Sequence, residues 1–233
     1  MQVAILAGGL ATRLGPLTKE TPKSLINIGS KPFLQYQLEF LKNGGVKEVV
    51  LCIGYLGEQI EKYFGDGKEF GINIKYSYDG DKLLGTAGAL KNAERVLEDE
   101  FIVMYGDSYL FLDFSAVASR FRKFNKLGLM VVYKNTDKYD KSNVVIDGNL
   151  VKEYNKKVRT KEMVYIDYGV SILRKGSLRL VPQNHPYSLE ELFSQLIDRK
   201  QLLAYEVDKR FYQIGSLEGL HEFERYILGK AAK

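Results

Sequence analysis

The stretch "AILAGGLATRLGPLTKETPK" (residues 4–23) takes an apolar strand, expected over about 2–7, into two glycines. It then passes Arg13 and reaches the pair Pro22-Lys23. Two glycines alone would mark an ordinary strand-to-helix turn, where they supply positive φ. The dinucleotide fingerprint needs Gly at i, i+2 and i+5, but from Gly8 those places hold Leu10 and Arg13. A P-loop ending in Gly-Lys-Ser/Thr is absent as well. What remains is a loop suited to phosphate. Gly8 and Gly9 let backbone N–H groups approach an anion, Arg13 can bridge phosphate oxygens bidentately, and Lys23 adds a compact charge. Pro22 biases Thr21 to an extended conformation, so the chain reaches Lys23 along a defined path.

Downstream of this loop, short apolar runs alternate with amphipathic stretches, the pattern of an α/β fold with a mainly parallel sheet. A helix is expected over 32–43, where Leu34, Leu38 and Leu41 fall on one face. Strands follow at 47–54 and 72–78, with a helix at 57–64 between them. Thr86 reads as the cap of a helix over 87–97. "FIVMYGD" (101–107) is almost continuously apolar, as a central strand buried on both faces requires. A helix (115–126) and strands at 129–134, 143–147, 150–155, 164–173 and 202–207 suggest mixed pairing in the second half, before a last helix over 216–228. Neither a repeat nor a linker interrupts the pattern. The expectation is a single Rossmann-like domain: a mixed, mostly parallel sheet flanked by helices, with a smaller sub-region covering one edge.

Composition narrows the function. With 233 residues, 45% hydrophobic and 27% charged, the chain is globular and needs no disulfide staples. Cys52, in the apolar run "EVVLCIGY", is the single cysteine and reads as a core residue of a reducing compartment. "VAILA" is too short for a signal sequence, and no segment approaches the ~18 apolar residues of a spanning helix. A soluble, cytoplasmic protein without a membrane partner is expected. The net charge of +5 favours phosphorylated ligands. Nucleic acid is not the expected partner, because the one basic cluster, "KKVRTK" (156–161), lacks interleaved aromatics.

"LAGGLATRLGPLTKETPK" resembles the signature of the sugar-1-phosphate nucleotidylyltransferases, Gly-Gly-x-Gly-Thr-Arg-Leu, then Pro-Leu-Thr, then Pro-Lys, with Ala11 in place of a glycine. "DGDKLLGTAGALKNA" (79–93) is similar to the second motif of that family, and "VMYGDSYL" (103–110) and "RFYQIGSLEGLHEFERYI" (210–227) to later ones. The resemblance runs over the whole chain and implies the nucleotide-diphospho-sugar transferase fold. It implies a nucleotide-binding part over about 1–110 and a sugar-phosphate-binding part over about 111–233. Arg13 and Lys23 are then the catalytic cations. Leu6, Ala7, Gly8, Gly9, Asp79, Gly85, Thr86 and Gly106 bind the nucleotide, with Gly85 placed against its base or ribose. Asp107 becomes a ligand of Mg²⁺. The second carboxylate of the family falls on Gln213, which offers only a neutral carbonyl oxygen, so Asp113 and Asp167 are candidates to replace it. On the sugar side, "YNKKV" leaves Lys157 as the phosphate-binding lysine and puts Lys156 in place of a glutamate, while Asn143 and Asp167 stand at sugar-binding positions.

The reaction so implied moves a nucleoside monophosphate from a nucleoside triphosphate to a sugar 1-phosphate and releases pyrophosphate. No general base is needed, since a phosphate monoester is already largely ionised at neutral pH. His185 and His221 lie outside the motifs. Asp79 or Asp81, ahead of Gly85, could accept from guanine or from a cytosine amino group, which tilts the base to GTP. The short single-domain form resembles heptose- or mannose-1-phosphate guanylyltransferases, and equally the short uridylyltransferases of cell-wall recycling. UTP- or CTP-dependent transfer, including to phosphocholine, and a non-catalytic nucleotide sensor are the alternatives. A homo-oligomer is compatible with all of them.

Overall fold

The computed structural model describes residues 1–10 and 12–231, without the side chains of residues 12, 13, 230 and 231. The first half contains β1 (Gln2–Leu6), β2 (Asn27–Ile28), β3 (Lys31–Pro32), α1 (Phe33–Asn43), β4 (Glu48–Ile53), α2 (Gly57–Phe64), β5 (Asn73–Tyr78) and α3 (Gly85–Asn92). Then come β6 (Glu100–Tyr105), β7 (Ser108–Tyr109), α4 (Phe114–Arg122), β8 (Gly128–Lys134), β9 (Val144–Asp147) and β10 (Leu150–Tyr154). The chain closes with β11 (Tyr165–Arg174), α5 (Leu189–Asp198), β12 (Leu202–Val207), β13 (Tyr212–Gln213) and α6 (Leu217–Ala231).

A nine-stranded sheet runs in the order β5-β4-β1-β6-β11-β8-β12-β10-β9. The pairs β5/β4, β4/β1, β1/β6 and β8/β12 are parallel, and the remaining neighbours are antiparallel. From β1 the chain moves outward to β4 and β5, then returns to place β6 on the other side of β1. The connections therefore diverge at the carboxyl ends of β1 and β6, where Leu6 lies opposite Tyr105. Ligands of open α/β sheets bind at such a point.

Both faces of the sheet are covered, which is why its central strands carry unbroken apolar runs. Val3, Ile5, Ile102 and Met104 face one core with Leu34, Leu38 and Leu41 of α1 and with side chains of α2 and α4. Ala4, Phe101 and Val103 face the other, built from α3 and α5. The short ribbon β7/β13 carries α6 over a third cluster, in which Phe223 packs edge-on against Phe33 at 5.2 Å.

Two local expectations need correction. Helix α3 starts at Gly85 rather than 87 and gives way after Asn92 to a 3₁₀ turn over Ala93–Arg95. Thr86 does not cap it: its Oγ accepts from the N–H of Leu189 at 2.7 Å and so satisfies the first turn of α5. Helix α5 itself is absent from the sequence expectation. It starts with a full capping box between Ser188 and Glu191 and buries Leu189, Leu192, Phe193 and Leu196.

Candidate active site

Two cavities open at the carboxyl ends of β1 and β6 and share Tyr105 and Asp107 in their walls. The first, about 240 Å³, is lined by Leu6, Ala7, Gly8, Gly9, Asp79, Gly85, Thr86 and Gly106, together with Lys23 and Asp107. The residues assigned to the nucleotide thus come from three separated loops into one wall. Arg13 has its side chain outside the described residues, as does Ala11 altogether.

The close approaches have internal causes. A Cβ on Gly8 would lie 2.9 Å from the backbone N of Gly54, so glycine there is demanded by the neighbouring strand, not by an anion. Gly85 has φ +70°, and its Cβ would meet the Tyr187 carbonyl oxygen at 2.9 Å rather than a nucleotide. Only Gly9 of these faces open space, with nothing within 4 Å of its Cβ position.

Asp79, at the end of β5, accepts from the Leu84 N–H at 3.1 Å, and burial raises its carboxyl above the ordinary aspartate value. It lines the cavity, whereas Asp81 does not. Cys52 also reaches this wall but is only 1% exposed, and burial, helped by the Asp79 charge, pushes its thiol up to about 12. Thiol reagents at pH 8 are therefore expected to label Cys52 no faster than the protein unfolds, as a time course of modification against denaturant would show.

Asp107 sits in the turn between β6 and β7, and its main-chain oxygen accepts from Ile214 N–H at 2.9 Å. Its carboxylate pairs with Lys23, Nζ to Oδ2 at 2.6 Å, with the Asp107 and Lys23 side chains 25% and 20% exposed. A charge-assisted contact this short holds the cation and the carboxylate at the seam between the cavities. The resemblance assigned them to different partners, a phosphate and a metal.

The second cavity, about 320 Å³, is lined by Asn143, Lys156, Asp167 and Gln213 among others. Asp167 is densely satisfied: Oδ2 accepts from the hydroxyls of Tyr154 (2.9 Å) and Tyr105 (3.2 Å), and Oδ1 from Gly169 N–H at 3.0 Å. Asn143 in turn accepts from the Asp167 N–H at 3.0 Å. Burial first, and the Asp167 charge second, push both phenols well above the ordinary tyrosine value. Lys156 lies over the rings of Tyr105 and Tyr154, 5.0 and 5.7 Å from their centroids.

Two sequence assignments, Lys157 and Asp113, are not brought to these walls, and a third, Gln213, reaches the second cavity with its oxygen turned back. Lys157 lines neither cavity; its charge lies by Glu191 at the start of α5, and Lys156 is the lysine that faces inward. Asp113 caps α4, accepting from the N–H groups of Ser115 (2.9 Å) and Ala116 (3.1 Å), so it is not a substitute metal ligand. Gln213 stands opposite Ser108 in β13, but its side-chain oxygen turns back to accept from Gly215 N–H at 2.7 Å. The tyrosines that orient Asp167 escaped sequence reading, although Tyr105 directly precedes Gly106-Asp107. Among the described residues no three His, Cys, Asp or Glu side chains gather as a metal cluster, and no helix is long and apolar enough to cross a membrane.

A D-glycero-alpha-D-manno-heptose 1-phosphate guanylyltransferase from Campylobacter jejuni is 34% identical over 226 residues, covering 96% of this chain and 98% of that protein. A mannose-1-phosphate guanyltransferase from Saccharomyces cerevisiae is 33% identical, and there 92% of this chain spans 61% of the relative. The crystal structure of HddC from Yersinia pseudotuberculosis complexed with GMP-PN superposes with a TM-score of 0.80 at 25% identity, covering 97% and 99% of the two chains. Residues 2–229 match the family described as Nucleotidyl transferase, and the chain belongs to that family.

Proposed function

We propose that the protein transfers a guanylyl group from GTP to the phosphate of a heptose or mannose 1-phosphate. The observation that carries this reading is the meeting of two cavities at the Lys23–Asp107 pair, one walled by residues of the 1–110 part and the other chiefly by the later part. One acceptor phosphate oxygen attacks the α-phosphorus, the bond from that phosphorus to the bridging oxygen breaks, and pyrophosphate leaves. The attacking oxygen is ionised at neutral pH, so binding and alignment are what the chain must provide.

Lys23, which lines the first cavity and pairs with Asp107 on the wall shared with the second, is assigned the phosphate oxygens of both substrates, and Arg13 is assigned the leaving pyrophosphate on its motif alone. Lys156 is better placed than Lys157 to meet the acceptor phosphate, because it faces the cavity beside Tyr105. Asn143 and Asp167 supply the sugar side, with Tyr154 orienting Asp167 from behind. Asp79 can accept from guanine N1–H and N2–H₂. The names of the relatives, guanylyl transfer to manno-configured 1-phosphates, support the choice of base and sugar.

A magnesium site is compatible with Asp107, because Mg²⁺ commonly takes one or two carboxylates and completes its shell with substrate phosphates and water. Gln213 would be a poorer second ligand, a neutral oxygen with one lone pair already taken by the Gly215 N–H. When bound, Mg²⁺ neutralises charge on the transferring phosphoryl group.

Pyrophosphate release with Mg²⁺, each of four nucleoside triphosphates and a panel of sugar 1-phosphates tests this reading. Release confined to GTP with a heptose or mannose 1-phosphate is expected. Release with CTP and phosphocholine would replace it with the other acceptor class, and nucleotide binding without release would replace it with a sensor.

A further inference from the structure

Helix α1 buries one amide among its leucines. Gln37 is 0% exposed, on the same face as Leu34, Leu38 and Leu41. Its Nε2 donates to two main-chain carbonyls, those of Tyr105 at 3.0 Å and Ser108 at 2.7 Å. These carbonyls bracket Gly106-Asp107. The amide cannot be reversed, since its oxygen would then face two oxygens. Its Oε1 has no partner among the described residues. A core leucine or methionine at this place would avoid that unsatisfied acceptor but would take the donor from both carbonyls, so the amide is kept for the turn it holds rather than for packing.

The Lys23 ammonium holds the Asp107 carboxylate itself at 2.6 Å, and the turn that carries it has few main-chain ties. Gly106 N–H donates to Leu6 at 3.0 Å, and the Asp107 main-chain oxygen accepts from Ile214 at 2.9 Å. Both are main-chain bonds from neighbouring segments. Among the described residues, Gln37 is the one side chain that ties Tyr105 and Ser108, the two flanks of the turn, to each other through a single group on a rigid helix. We propose that Gln37 is a positioning residue, holding the turn so that the Asp107 carboxylate stays at the seam of the two cavities. Its consequence for turnover rests on the function proposed above; its consequence for the turn does not.

The test uses the full chain and two variants, Gln37→Met, which keeps the volume, and Gln37→Glu. In the ligand-free protein, amide exchange at Gly106 and Ile214 is expected to speed up about tenfold or more in Gln37→Met, while Val3, Ala4 and Ile5 keep their protection. In pyrophosphate-release kinetics kcat is expected to fall about tenfold or more, with KM for GTP within about twofold. A carboxyl buried at position 37 donates to a carbonyl only when neutral. Gln37→Glu should therefore lose kcat relative to the parent as pH rises, whereas Gln37→Met should stay below the parent by the same factor at every pH. Unchanged exchange at Gly106 and Ile214 in Gln37→Met overturns the proposal, as does faster exchange with an unchanged kcat. If the parent protein itself releases no pyrophosphate, the functional reading fails, and the exchange data still judge the turn.

Discussion

Asp107→Ala is expected to lower kcat for pyrophosphate release about a thousandfold or more, because it removes the one carboxylate shared by both cavities. Lys23→Ala is expected to cost about a hundredfold or more through loss of the cation that the Asp107 carboxylate holds at 2.6 Å. The two losses should not multiply. Residues in direct contact act as a unit, so the double variant should be little worse than Asp107→Ala alone. The fold should survive each change, since the main-chain bond from Ile214 to the Asp107 oxygen is untouched. Circular dichroism and steady-state kinetics on the four proteins would decide the matter. Retention by Asp107→Ala of more than about a tenth of the parent kcat would place the chemistry elsewhere.

What could be read without coordinates was what local pattern encodes. The run "FIVMY" announced a strand covered on both faces, and Phe101, Ile102, Val103 and Met104 are all buried. The leucines of α1 announced its inner face in the same way. The capping box at Ser188 and the spacing of Leu189, Leu192, Phe193 and Leu196 were equally legible signals for α5, and they went unread.

Other features depend on segments distant in sequence. Thr86 looks like a cap because its type suits one, yet its hydroxyl serves Leu189, 103 residues away. Gly8 and Gly85 look like concessions to a ligand, but the atoms they would strike belong to Gly54 and Tyr187. The choice between Lys156 and Lys157 turns on one residue of register after β10, which no local pattern specifies. Tyr154 and Tyr105 come together only because β10 and β6 both deliver side chains to Asp167. The motifs therefore located the site, while the contacts that orient its groups lay beyond sequence spacing.

Gly85→Ala is expected to be strongly destabilising, for two independent reasons. A side chain at φ +70° adopts the left-handed region, at a cost of about 1–2 kcal/mol. The added Cβ would also stand 2.9 Å from the Tyr187 carbonyl oxygen, which is backbone and cannot rotate aside. That oxygen accepts from both Ala87 and Gly88, at 2.9 and 3.0 Å, while Tyr187 N–H donates to Leu84 at 2.8 Å. Relief of the clash would break these bonds and pull the start of α5 off α3, adding about 1–3 kcal/mol. Together these predict a loss of about 3 kcal/mol and a melting temperature lower by about 6–12 °C for a chain of this size. Gly9→Ala is the matched control. Its methyl meets nothing within 4 Å and Gly9 does not have a positive φ, so the melting temperature should hold. Its methyl would instead project from the wall of the first cavity, so a rise in KM for the triphosphate is the expected result. A Gly85→Ala protein that melts with the parent would mean that Tyr187 is free to retreat, and that the start of α3 holds the segment leading into α5 more loosely than these three hydrogen bonds imply.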